Sequence, residues 1–250
     1  MHISLFIILY NMQKIIMSLF VVILLTSCGG LEKKSSTQTV DVLRPSEVEV
    51  DTETTDSGET NFALEAWSDN WFAMYNNEEL VVEDSVSITT EKSFNGETKK
   101  FTASYPLNLA FILKDYKEDD SGLEYIGKSK QQMWDGGFIM QITNIDTWDL
   151  VAVSDENMTC MVIHTAPLNK GCEKSNDSST CGFESLEEPT GWKTTTFDDS
   201  SWIAATIHSE SDVSPKGGYD KITWNSSAKL IWGPDLETNN TILCRISIEE

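Results

Sequence analysis

From Phe62 onward the chain is a succession of short apolar runs broken by turn-forming residues. WFAMYNNEELVVED carries two such runs around Asn76-Asn77-Glu78-Glu79, where asparagine tolerates left-handed backbone, and this predicts a hairpin. SVSITT, KKFTASY, LNLAFILKDY, GGFIMQITNI, DLVAVS and CMVIHTAP follow, then AKLIWGPD and NTILCRISI near the end. Each is of strand length and rich in β-branched or aromatic residues, whose bulk packs well on a pleated surface. Many are bounded by Gly, Asn, Asp or Pro. No segment keeps a helical apolar period over three turns. About eight to ten strands joined by long polar connections predict an all-β chain folded as an antiparallel β-sandwich.

Before Phe62 the texture differs. Residues 29 to about 60 are rich in Ser, Thr and Glu and hold no aromatic residue, so they cannot bury enough apolar surface to order themselves. They read as a flexible acidic tether. Upstream, IIMSLFVVILL (Ile15 to Leu25) follows Lys14, giving the positive flank and apolar length of a signal peptide, and Met12 is the better-placed start. The run ends in Leu25-Thr26-Ser27-Cys28, which resembles the lipobox of bacterial lipoproteins. That resemblance implies a leader over 1–27, lipid on Cys28, a linker over 28–60 and a folded domain over 61–250. It places the protein outside the cytoplasm, at the outer membrane, held by its lipid alone. With Cys28 consumed, Cys160, Cys172, Cys181 and Cys244 remain, and four cysteines in an exported chain predict two disulfides with three possible pairings. Cys172 and Cys181 flank the polar loop EKSNDSST and are expected to close it, leaving Cys160 to Cys244. No CxxC spacing is present, which argues against zinc.

The 40 acidic against 18 basic residues leave a net charge of -22, a field that repels phosphate backbones and excludes nucleic acid as an expected partner. Several runs are similar, in order, to one family pattern. SDNWFAMYNNEELV, PLNLAFILKDY, GGFIMQI, DLVAVSDENM, GWKTTTFDDSSWIAA and AKLIWGPD with Arg245 together resemble the galactose-binding-domain-like modules that accompany α-L-rhamnosidases and other glycoside hydrolases. The resemblance covers about residues 62 to 248 and implies a jelly-roll sandwich that binds carbohydrate without catalysis. Two positions depart from the pattern: Glu78 follows Asn77 where the family has glycine, and Met158 stands where it often has tryptophan.

The densest polar motif is GWKTTTFDDSSWIAAT, with Asp198 and Asp199 adjacent. Glycoside hydrolysis needs two carboxylates opposed across a bond, roughly 5–9 Å apart. In extended backbone adjacent side chains point to opposite faces, and in a turn Asp198 would cap local amides. Both conformations make the pair part of the scaffold. GxSxG, HExxH and a phosphate loop are all missing, and His164 and His208 sit in apolar runs as strand histidines. No catalytic residue is assigned. Sugar binding uses aromatic faces with Asp and Asn on the hydroxyls. Trp67, Asp69, Asn70 and Trp134 are the candidate ligand set, with Trp67, Trp134, Trp148 and Tyr219 expected on exposed loops. Asp69 and Asn70 are also the candidate calcium ligands by the family resemblance, and the loop NIDTWD could supply further oxygens. The expected function is glycan recognition. The alternatives are a structural or protein-interaction module and, less favoured, a glycosidase-related enzyme.

Overall fold

The computed structural model describes residues 58–88 and 94–250. The leader, Cys28 and the tether up to residue 57 therefore lie outside the described residues. The strands are β1 (Glu59–Asp69), β2 (Trp71–Asn76), β3 (Glu79–Glu83), β4 (Gly96–Ser104), β5 (Leu107–Lys114), β6 (Leu123–Glu124), β7 (Gln132–Met133) and β8 (Gly137–Asn144). They continue as β9 (Leu150–Val153), β10 (Thr159–Thr165), β11 (Glu184–Ser185), β12 (Ile203–Ala204), β13 (Thr206–His208), β14 (Leu230–Trp232) and β15 (Asn239–Ile248). A single helical turn, α1 (Glu210–Val213), is closed by a capping box from Ser209 and Asp212.

Two antiparallel sheets carry the fold. One runs β13-β14-β8-β1-β4, with β9 also on β8; the other runs β11-β10-β15-β5-β2-β3, with β12 also on β10. The β2–β3 hairpin turns at Asn77, whose φ of 54° is the left-handed geometry expected of asparagine there. Alternation builds the core. Phe62, Leu64 and Ala66 of β1 and Phe138, Met140 and Ile142 of β8 face Phe72, Met74, Leu109, Phe111, Leu113 and Ile242 of the other sheet.

The outer faces are covered as well. Trp67 and Ile139, of opposite parity to the core residues, pack with Val213, Ala228 and Leu230 outside the first sheet. Trp192, with Phe197 and Trp202 beside it, covers Ala110, Ile112 and Leu243 outside the second. A Cβ on Gly136 would come 2.2 Å from the Trp232 ring, so the first glycine of GGFIMQI is required by close packing. Both expected disulfides are present. Cys160–Cys244 joins directly paired positions of β10 and β15, and Cys172–Cys181 closes the EKSNDSST loop.

Two expectations are corrected. SVSITT is not a strand over its described residues, 85–88, which form bends and a turn. The longest strand, β1, was not foreseen: ETNFALEAWSD begins inside the predicted tether, at Glu59, and pairs with β4 and β8 along its length.

Candidate functional site

The sheets end together where β1, β5 and β10 finish and β2, β8 and β15 begin. Chain connectivity therefore brings Asp69 and Asn70 to the same end as Asp115, Trp134, Asp135, His164 and Asn240. Asp69 and Asn70 form the β1–β2 link through a cis peptide, and each is 1% exposed. Asn70 Oδ1 accepts the Tyr116 N–H at 2.5 Å, while its backbone N–H donates to Lys114 O at 3.0 Å. Asp115 Oδ1 accepts the Tyr116 N–H at 2.6 Å and Oδ2 accepts the Asp135 N–H at 3.1 Å. Asp69 receives nothing comparable. Both of its carboxyl oxygens, the Asn70 Nδ2 and the Trp134 Nε1 lack a hydrogen-bond partner among the described residues.

Charge at this end is unbalanced. Asp69, Asp115, Glu124 and Asp135 act on one another, and Lys216 is the cation facing them, 3.2 Å from Asp135. Loss of hydration pushes the Asp69 carboxyl well above the usual range; Asp135 raises it further and Lys216 only partly opposes. Asp115 is raised in the same direction, first by burial and then by Asp69. Burial of two such neighbours opposes ionisation of both and favours a proton or a cation between them.

The four sequence candidates thus reach one end of the sandwich, but not as an open surface. Trp67 is fully buried in β1 and donates from Nε1 to Lys216 O at 3.0 Å; Trp134 is 1% exposed. The expected loop exposure of both is corrected, because sheet pairing and the 209–228 segment cover Trp67 while His164 packs on Trp134, with ring centres 5.7 Å apart. Trp148 is 78% exposed but lies after the other end of β8, and Tyr219 is half-buried with its ring edge-on to Trp67. For calcium, Asp69 offers free carboxyl oxygens, whereas the Asn70 carbonyl is already taken. Among the described residues no group of three or more acidic, His or Cys side chains is placed to ligate a metal together.

Open space adjoins this end. A polar cavity of about 580 Å³ borders Trp134 and Asp135, and one of about 290 Å³ borders Asp115, His164 and Asn240. A third, of about 400 Å³, lies against Phe183, which is 50% exposed. Sequence reading missed Phe183. Its only signal is an aromatic residue just after Cys181-Gly182 and surrounded by polar residues, which does not reveal what stands behind it.

The acidic pair of FDDSSW is in a turn. Asp198 accepts the Ser200 N–H at 3.0 Å, and the Ser200 hydroxyl, with that N–H, holds its carboxyl below the usual range. Asp199 turns inward to Arg245 Nε at 2.9 Å and the Thr159 hydroxyl at 2.9 Å. His164 and His208 lie in β10 and β13. Comparison with protein-family models, with curated proteins and with solved structures gives no match. Among the described residues no helix is long and apolar enough to cross a membrane.

Proposed function

We propose that this protein is a lipid-anchored envelope lipoprotein whose galactose-binding-like β-sandwich recognises carbohydrate without catalysis. The observation that carries the reading is the collection of buried polar groups on Asp69, Asn70 and Trp134, without partners among the described residues, at one end of the sandwich. A polar cavity of small-molecule size borders Trp134, and a second cavity borders Asp115, the buried carboxyl that acts on Asp69. Buried donors and acceptors are normally satisfied, and clustering of exceptions marks a place where water or a ligand completes the set. The two disulfides support an extracytoplasmic setting. The lipobox-like Leu25-Thr26-Ser27-Cys28 supports the anchor. Calcium belongs to the same proposal, with Asp69 as its carboxylate.

The test of recognition is retention of the purified protein on a glycan array, read beside cross-linking in cells. Specific glycan hits support the proposal. A protein partner recovered with no glycan bound would favour the structural alternative. Melting with calcium and with chelator tests the cation: a tight site raises the midpoint by mass action, and identical midpoints remove calcium from the proposal.

A further inference from the structure

We infer that the carbohydrate contact is the cavity in front of Phe183, with the phenyl ring as the platform on which a sugar ring lies. The inference rests on the carbohydrate reading above and gives it a surface. A sugar presents a flat array of C–H bonds on one face and hydroxyls around its rim. Its site therefore needs an exposed aromatic face with oxygen acceptors and donors beside it.

The Phe183 cavity offers both. Asp119, Asp120, Ser121, Ser178 and Ser179 line it together with the ring. Asp119 Oδ1 accepts the Ser121 N–H at 2.8 Å, and Oδ2 accepts the Ser178 hydroxyl at 3.4 Å. Each carboxylate oxygen has acceptor capacity to spare. The Ser121 hydroxyl has no partner among the described residues although Ser121 is only 6% exposed. Asp120 is already engaged, by Lys117 at 2.7 Å and by His164 Nε2 at 2.9 Å. Its charge is therefore met, which leaves Asp119 as the carboxylate with room to accept from a sugar hydroxyl.

The platform is also held in place before any ligand arrives. The His164 ring lies nearly parallel to Phe183, 14° off, with centres 5.8 Å apart, and Trp134 stands behind His164. Cys172–Cys181 closes the neighbouring loop. Backbone bonds from Leu168 N to Gly182 O, 3.0 Å, and from Asn169 N to Cys181 O, 2.9 Å, fix the approach to the ring. Gly182 has φ of 68°, a left-handed turn that places Phe183 at the cavity. Little side-chain freedom is then left to lose on binding. Trp134, a sequence candidate, has its place here as support behind the platform.

The experiment is a glycan array spanning neutral hexoses, pentoses, deoxyhexoses and uronic acids, probed with the full chain purified in detergent. Titration calorimetry on the best hit follows. Phe183→Ala is expected to weaken binding at least about tenfold, the loss of one stacked ring. Phe183→Leu keeps apolar bulk without a flat face and should lose binding while melting like the parent. Phe183→Tyr should stay within about threefold of the parent. Trp148→Ala, at the opposite end, should bind unchanged. Full binding by Phe183→Leu, or loss on Trp148→Ala instead, overturns the assignment and leaves the carbohydrate reading standing. No glycan retained by the parent chain overturns both.

Discussion

The Asp199–Arg245 pair gives the sharpest test of how the FDDSSW motif works. Arg245 is 8% exposed and reaches from β15 through the layer covering the second sheet. Nε donates to Asp199 Oδ2, and Nη1 donates to the carbonyls of Trp192 and Thr194. Its guanidinium also stands over the Phe197 ring at 5.3 Å. One cation thus ties the whole stretch from residue 192 to residue 199 onto the sheet. Asp199→Ala leaves that cation without its counter-charge and the Thr159 hydroxyl without its acceptor. Breaking a fully buried pair costs about 3–5 kcal/mol. Here Asp199 is 32% exposed and Arg245 keeps two carbonyl acceptors, so the expected loss is about 2 kcal/mol. In a domain of this size that lowers Tm by roughly 4–8 °C. Asp199→Asn retains an acceptor and should lose about half as much. Thermal melts followed by tryptophan fluorescence suit the question, since Trp192 and Trp202 lie beside the pair. Because the pair is mostly shielded from solvent, the shift should persist in high salt. An Ala variant that melts with the parent would refute the clamp.

Three further outcomes follow from the same structure. Asp69, Asp115 and Asp84 all have folded-state pKa values above 3.8, Asp84 at about 6 through burial. The folded chain then holds protons that the unfolded chain releases, so stability falls as pH rises through that window. His164, pushed down by burial, opposes this below its ordinary pKa of 6.5, while the lowered carboxyls of Asp120 and Asp235 act only below 3.8. Scanning calorimetry in chelator should therefore give a higher Tm at pH 5 than at pH 7. Asp69→Asn should raise Tm at pH 7 and flatten the profile; a lower Tm for that variant would count against a protonated Asp69. Cys160→Ser with Cys244→Ser opens a loop of separation 84, and Cys172→Ser with Cys181→Ser one of separation 9. Chain entropy predicts losses of about 4.5 and about 2.5 kcal/mol, and equal urea midpoints for the two double variants would contradict that order.

Local chemistry made much of the fold legible. The apolar runs in LNLAFILK, GGFIMQIT and NTILCRISI became β5, β8 and β15, central strands buried on both faces, because short β-branched and aromatic runs bounded by turn residues fit such a position. Asn77 turned the hairpin, and Asp198 capped a neighbouring amide, through contacts within a few residues of themselves. β1 was hidden for the opposite reason. Its first residues, Glu59-Thr60-Asn61, are polar and partly exposed, and only pairing with β4 and β8 makes ETNFALEAWSD a strand.

The candidate site divides along the same line. Asp69, Asn70 and Trp134 could be selected as unusual polar and aromatic positions, and the fold does gather them at one end. Whether a tryptophan beside polar residues is open or covered depends on what crosses it from far along the chain. His164 covers Trp134 from 30 residues away, and Lys216 takes the Trp67 indole N–H from a separation of 149. The sequence by itself determined the all-β class, the turns and a disulfide pairing, each set by composition, period or short spacing. Only the tertiary structure decided that Asp199 holds Arg245, that the Asp69 carboxyl is buried without a partner among the described residues, and that Phe183 keeps an open face. Burial and long-range pairing arise from the meeting of distant segments, and no local pattern encodes which segments meet.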